Sequence, residues 1–237
     1  MCFLLPKTGN IRHLFAAAII LSAFNTCFAD QTPSVIWHED GRVVSGSGQA
    51  IQLNLHNLYD GLAFDNKLYV IGFFINSDGI NILRIAEVSE ELGTVDYWTF
   101  EHIISDIFAY HNSIHINDTD GQVFKLSGAA WQKSDLIFPA NSQVVFSDND
   151  DKLVVCHPSS LPMTGHHRGG CFSINPNWHF DFTWFVVTPK VCDGRLFIYE
   201  NKMNGGVVRV LSLETGEVLH SKPLTIAPDD LCGVSGN

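Results

Sequence analysis

The stretch GRLFIYENKMNGGVVRVLSLETGEVLH, Gly194 to His220, decides the fold, because a fainter copy of it stands upstream as NKLYVIGFFINSDGINILRIAEVSEELGTVDY, Asn66 to Tyr97. Leu68-Tyr69-Val70 aligns with Leu196-Phe197-Ile198, Asp78-Gly79 falls near Gly205-Gly206, and Arg84 to Val88 aligns with Arg209 to Leu213. Each copy reads strand, turn, strand, turn: short runs of Val, Ile, Phe and Tyr broken by Gly, Asn and Asp. Two more divergent copies lie between them. His111 to Ile116 turns at Asp120-Gly121 into Gln122 to Leu126, and Asp151 to Val155 is followed, after a long loop, by Cys171 to Ile174. The anchors Leu68, Ile114, Leu153 and Leu196 are 46, 39 and 43 residues apart. In a chain without helical periodicity, a period of about forty is the length of a four-stranded propeller blade.

Repetition has a physical reason. One four-stranded sheet has two faces to cover and two open edges, whereas sheets packed face to face around an axis bury both faces. The sequence therefore predicts an all-β fold, a small β-propeller of about five blades of four antiparallel strands. The extra blade comes from Val35 to Leu55, where Trp37 to Val43 forms a hairpin turning on Asp40-Gly41. An N-terminal strand completing the C-terminal blade is the expected way of closing the ring. A β-sandwich or irregular barrel is the competing architecture.

The first 29 residues read as an address. Lys7 and Arg12 precede the apolar run Leu14 to Phe24, and Cys27-Phe28-Ala29 supplies small residues where a signal peptidase reads. The run has about half of the roughly 20 apolar residues needed to span a bilayer. The expected organisation is a signal peptide over 1–29 and one propeller domain over 30–237, located in the periplasm or secreted, with no membrane insertion after cleavage. Cleavage leaves 12 basic against 25 acidic residues, a net charge of −13. That balance argues against nucleic acid and anionic membranes as partners and leaves a basic partner, or plain solubility.

Cys156, Cys171, Cys192 and Cys232 remain after cleavage, an even number in an oxidising compartment. Of the three possible pairings, Cys156 with Cys171 closes the intervening loop at its base, and Cys192 with Cys232 ties the C-terminal tail to the last repeat.

Leu211-Ser212-Leu213-Glu214-Thr215-Gly216-Glu217-Val218-Leu219 resembles the repeat end of quinoprotein-type (PQQ-like) and related WD-like propellers, in which a strand ends in an acidic-x-Thr-Gly turn. The match covers about ten residues, and near His220 the tryptophan common after that turn is replaced. The resemblance implies a propeller and no quinone cofactor, since quinone-binding rings have more blades than this chain can build.

The loop between Cys156 and Cys171 carries His157, His166, His167 and Arg168. Imidazoles beside thiolates suit zinc or copper, but cysteines that pair with each other are lost as ligands, and adjacent His166 and His167 point apart on extended chain. The expectation is therefore no metal here and an exposed, partner-contacting loop, formed by an insertion from Ser159 to Gly170 that blade packing does not need. Asn117 to Gly121 and Ser147 to Asp151 lack the ligand spacing of calcium loops and read as hairpin turns. Trp178 to Trp184 alternates aromatic with polar residues, which points to packing between blades, with sugar stacking or partner anchoring as the alternative. No nucleophile elbow, phosphate loop or zinc-protease motif is present. The sequence is thus read as an exported, non-catalytic binding module for a protein partner. Inhibitor or immunity proteins are the class that charge, size and export fit. The alternative is a glycan-active hydrolase or lyase at the propeller mouth.

Overall fold

The computed structural model describes residues 35–38, 40–45, 48–89, 95–148, 151–157, 169–183, 185–202, 205–225 and 231–233. Residues 1–29, the segment expected to be a signal peptide, and the loop residues His166, His167 and Arg168 lie outside them. The described chain forms five antiparallel sheets, each built from strands consecutive in sequence. The first holds β1 (Val35–Trp37), β2 (Arg42–Ser45) and β3 (Ala50–Gln52). The second holds β4 (His56–Phe64), β5 (Lys67–Ile75), β6 (Asn81–Ser89) and β7 (Val95–Phe100). The third holds β8 (Ile104–Tyr110), β9 (Ser113–Asp118), β10 (Gln122–Ser127) and β11 (Ala130–Ile137). The fourth holds β12 (Gln143–Ser147), β13 (Leu153–His157), β14 (Gly170–Ser173) and β15 (Trp178–Asp181). The fifth holds β16 (Phe185–Cys192), β17 (Arg195–Lys202), β18 (Gly205–Ser212) and β19 (Val218–Leu224).

This is the small propeller that the repeat predicts. The four anchors occupy equivalent, buried positions: Leu68 pairs with Ala63, Ile114 with Ala109, Leu153 with Ser147 and Leu196 with Val191. The first two strands of a blade are joined by tight turns whose central residues take positive φ, at Asp65-Asn66, His111-Asn112 and Asp193-Gly194. Left-handed backbone at both positions is what a two-residue hairpin needs. Four apolar clusters lock successive sheets together. Val43, Leu53, Leu68 and Val70 join the first two, and Ile71, Ile85, Ile107 and Ile116 join the second and third. Phe108, Phe138, Leu153 and Val155 join the third and fourth, and Val154, Trp178, Leu196 and Leu211 join the fourth and fifth. Second strands such as β5 are apolar in unbroken runs because both their faces are covered.

The structure corrects two expectations. The last blade is completed by β19 and not by an N-terminal strand, because β16 to β19 already supply four strands in order. Its far face is covered by the tail: Leu231 packs on Phe197, Tyr199, Val208 and Val210, and Cys232 sits at disulfide distance from Cys192, with Cα atoms 5.9 Å apart. The first blade has three strands among the described residues. Finally, Arg209 is equivalent to Ala86 and not to Arg84, since Leu196 pairs with Leu211 as Leu68 pairs with Val88. The hairpin is five residues longer between Leu68 and Val88 than between Leu196 and Leu211, and aligning Arg84 with Arg209 absorbs only three of the five, which leaves a shift of two.

The acidic-x-Thr-Gly turn is built by Ser212, whose Oγ accepts the N–H groups of Glu214 and Thr215, while Gly216 N donates to Ser212 O at 2.9 Å. Gly216 takes φ +69°, and Trp178 of the preceding blade lies over it and donates from Nε1 to Leu213 O at 2.9 Å. Trp178 and Phe182 are buried between blades, so the aromatic alternation serves packing.

Candidate functional site

The first strands of successive sheets, β4, β8, β12 and β16, lie side by side along the axis, and all begin at the same end. Antiparallel alternation then brings to that mouth the β5–β6 turn, the β7–β8 connection, the β9–β10 turn, the β11–β12 connection and the cysteine-based loop after β13. Seven large apolar side chains are exposed among the described residues, and four of them belong to these segments: Ile75 (54%), Ile80 (58%), Ile103 (58%) and Ile137 (74%). The other three lie on the outer strands β7 and β19. Single exposed apolar residues are ordinary; convergence on one end is not.

Two carboxylates sit just inside the mouth. Asp60 on β4 accepts the N–H of Gly61 at 2.8 Å through Oδ1 and that of Ile107 on β8 at 3.1 Å through Oδ2. Asp106 on β8 accepts the N–H of Val144 on β12 at 3.0 Å. The carboxylates thus stitch three consecutive blades at equivalent positions. Burial pushes Asp60 up to about 7, against the lowering effect of its backbone donors. Burial and then the charge of Asp60 raise Asp106 well above the usual carboxylate range. Tyr59 is also pushed up, by burial first and by both carboxylates second, and its hydroxyl donates to Ile104 O at 3.0 Å. Asn117, fully buried, stands opposite Asp106 in register. Its amide donates to Ser142 O at 3.1 Å and to Asp106, and its Oδ1 has no partner.

Within the same mouth, ligand atoms of His102, Asp118 and Asp120 lie within 4.8 Å of one another, the described residues that could hold a metal ion. Asp118 is buried and its Oδ1 accepts the N–H groups of Asp120 and Gln122, which makes the run Asn117 to Gly121 a hairpin turn as well. His157 ends β13 opposite Gly170, and a Cβ at Gly170 would lie 3.6 Å from His157 Nε2 and 3.3 Å from His179 Nε2. Gly170 belongs to β14 and not to the insertion. Cys156 and Cys171 face each other across β13 and β14 at disulfide distance, with Cα atoms 4.0 Å apart, so the loop after His157 is held at its base.

Sequence reasoning missed Asp60, Asp106 and Asn117. A signal existed: Asp60-Gly-Leu-Ala-Phe and Asp106-Ile-Phe-Ala-Tyr repeat at the same 46-residue spacing as Leu68 and Ile114.

No family model and no curated protein sequence matches the chain. Among solved structures it is similar to the β-propeller domain of the Trilobed protease from Pyrococcus furiosus, a propeller of open velcro topology, at 10% identity and a TM-score of 0.53 over 78% of this chain and 61% of that one. The chain is a small β-propeller. It thus spans under two thirds of that domain's length. It is also similar to a putative oxidoreductase (glucose dehydrogenase) from Thermus thermophilus, at 11% identity and a TM-score of 0.49 over 80% of each chain. A third similar structure is BamB from Moraxella catarrhalis, at 14% identity and a TM-score of 0.39 over 81% of this chain and 70% of that one. These likenesses are of fold, the level at which the Leu211 to Leu219 turn pointed to PQQ-like propellers.

Proposed function

We propose that the protein is an exported binding module that docks a protein partner on the mouth of the propeller. The observation that carries this reading is the gathering of Ile75, Ile80, Ile103 and Ile137, all exposed, at the end where the connections between blades emerge. Exposed apolar side chains concentrated at one end of a molecule are what a docking surface offers. Two cysteine pairs at disulfide distance fit an oxidising compartment outside the cytoplasm, and no helix of the described residues is long and apolar enough to cross a membrane. β13 ends at this mouth with His157, and the reading includes His157, His166, His167 and Arg168 as contacts to the partner.

The test is co-purification from an extract of the producing cell's periplasm or medium, comparing wild type with the pair Ile80→Asp and Ile103→Asp. Both sites are open to solvent, so circular dichroism and Tm should stay unchanged while the partner is lost; undiminished capture would overturn the reading. Replacing His166, His167 and Arg168 together by Ala should weaken capture about tenfold or more if the loop holds a hot spot.

Glycan hydrolysis at the mouth is favoured by one observation, a carboxyl poised at about 7 beside a second one. Against it, three of the four carboxylate oxygens of Asp60 and Asp106 already accept backbone N–H groups. Release of reducing ends from cell-wall or capsular glycans, abolished by Asp60→Asn, would favour the enzyme.

A further inference from the structure

We propose that Asp60 and Asp106 form a socket for a primary ammonium group, the side chain of a lysine that the docked partner inserts into the propeller mouth. The proposal rests on the docking reading for the source of the lysine, and on two independent observations for the socket.

The first is charge. Asp60 and Asp106 occupy equivalent places on neighbouring axial strands, and both residues are only partly buried. The donors they have are backbone N–H groups and the Asn117 amide. Tyr59, the adjacent hydroxyl, gives its proton to Ile104 O instead. No Lys, Arg or His among the described residues forms an ion pair with either carboxyl. The second is Asn117, wholly buried, whose amide touches Asp106 while its Oδ1 lacks a donor. With both carboxyls ionised, the form that a bound cation favours, the site is rich in acceptors and poor in donors.

An ammonium supplies three N–H donors and one positive charge on a flexible four-carbon stem. A hard divalent ion suits the site less well. Calcium seeks six to eight oxygens, and here each engaged carboxylate oxygen has only one lone pair left. Depth fits too. Asp106 lies two residues inside Ile104, about 7 Å at strand rise, and the exposed Ile103 marks the rim. A lysine flanked by apolar residues would place its stem against the isoleucines and its charge at the carboxylates. The acidic balance of the chain, −11 overall, favours approach of such a partner.

The test needs no partner. The secreted protein is titrated with n-butylammonium chloride, with tetramethylammonium chloride and with calcium chloride at matched ionic strength, and Tm is followed. The expected result is a saturable rise of about 3–6 °C at a tenfold excess of butylammonium over its dissociation constant, with no rise from tetramethylammonium, which has the charge but no N–H. Asp60→Asn and Asp106→Asn, each checked by circular dichroism, should lose the rise. Equal responses of the wild type to both amines, or no response, would overturn the socket, as would a rise with calcium alone. Because the titration is free of partner, loss of the socket leaves the capture experiment intact, and failed capture leaves the amine titration to stand or fall by itself.

Discussion

Replacing Gly216 by alanine should cost far more than replacing Gly194, although both glycines take φ +69° and both lie in blade turns. An alanine at such a φ costs about 1–2 kcal/mol in backbone strain, and this cost is common to both. At Gly194 nothing lies within 4 Å of the added Cβ, so the loss ends there. At Gly216 the Cβ would meet the Trp178 ring at 2.7 Å. The ring has no free direction to move, since it is buried between blades and tied through Nε1 to Leu213 O. Overpacking costs about 1–3 kcal/mol, and a strained or broken indole hydrogen bond adds about 1 kcal/mol. Gly216→Ala should therefore lose about 3–6 kcal/mol and Gly194→Ala about 1–2 kcal/mol. Urea unfolding with matched m-values measures both. Equal losses in the two variants would refute the claim that Trp178 docking holds the last blade to the one before it.

Three further outcomes are expected. Cys156→Ser should lower stability by about 3 kcal/mol, for a closed loop of 15 residues, and Tm by about 6–12 °C; peptide mapping without reductant should recover Cys156–Cys171 and Cys192–Cys232 from the wild type. His115, buried and stacked on Phe108, is held down to about 4 chiefly by burial, with its hydrogen bond to Ser113 O opposing. Its folded value lies below the unfolded one, so the stability it allows is present above about pH 6.5 and is lost as pH falls towards 4, amounting to about 2 kcal/mol at pH 5; His115→Leu should flatten that slope in a pH series of urea titrations. Intact-mass measurement of the exported protein should give a chain beginning at Asp30, and a retained segment 1–29 would remove the basis for export.

Much of the fold was legible because blade structure is written locally. The anchors Leu68, Ile114, Leu153 and Leu196, the alternating runs around them and the turn residues Asp65-Asn66, His111-Asn112 and Asp193-Gly194 each act within one hairpin, where sequence distance and spatial distance nearly coincide. Cys156 with Cys171 was legible for the same reason, being neighbours across one strand pair. The third-strand alignment slipped by two residues because hairpin length varies without changing the apolar pattern.

Contacts between blades were decided by tertiary structure alone. Asp60 meets the Ile107 N–H, and Asp106 the Val144 N–H, only when neighbouring sheets pack in register. Periodicity within a strand carries no record of that register, so the two aspartates read as ordinary polar positions despite their 46-residue spacing. The same holds for Trp178 over Gly216, for His102 beside Asp118, and for the unpartnered Oδ1 of Asn117. The isoleucines share one end of the propeller only through the alternation of strand direction, which carries Ile75, Ile80, Ile103 and Ile137 there from positions that are 62 residues apart at their extremes. Sequence determined the blade, since each blade's hydrogen bonds and turns are local; packing around the axis determined the site, since its parts come from different blades.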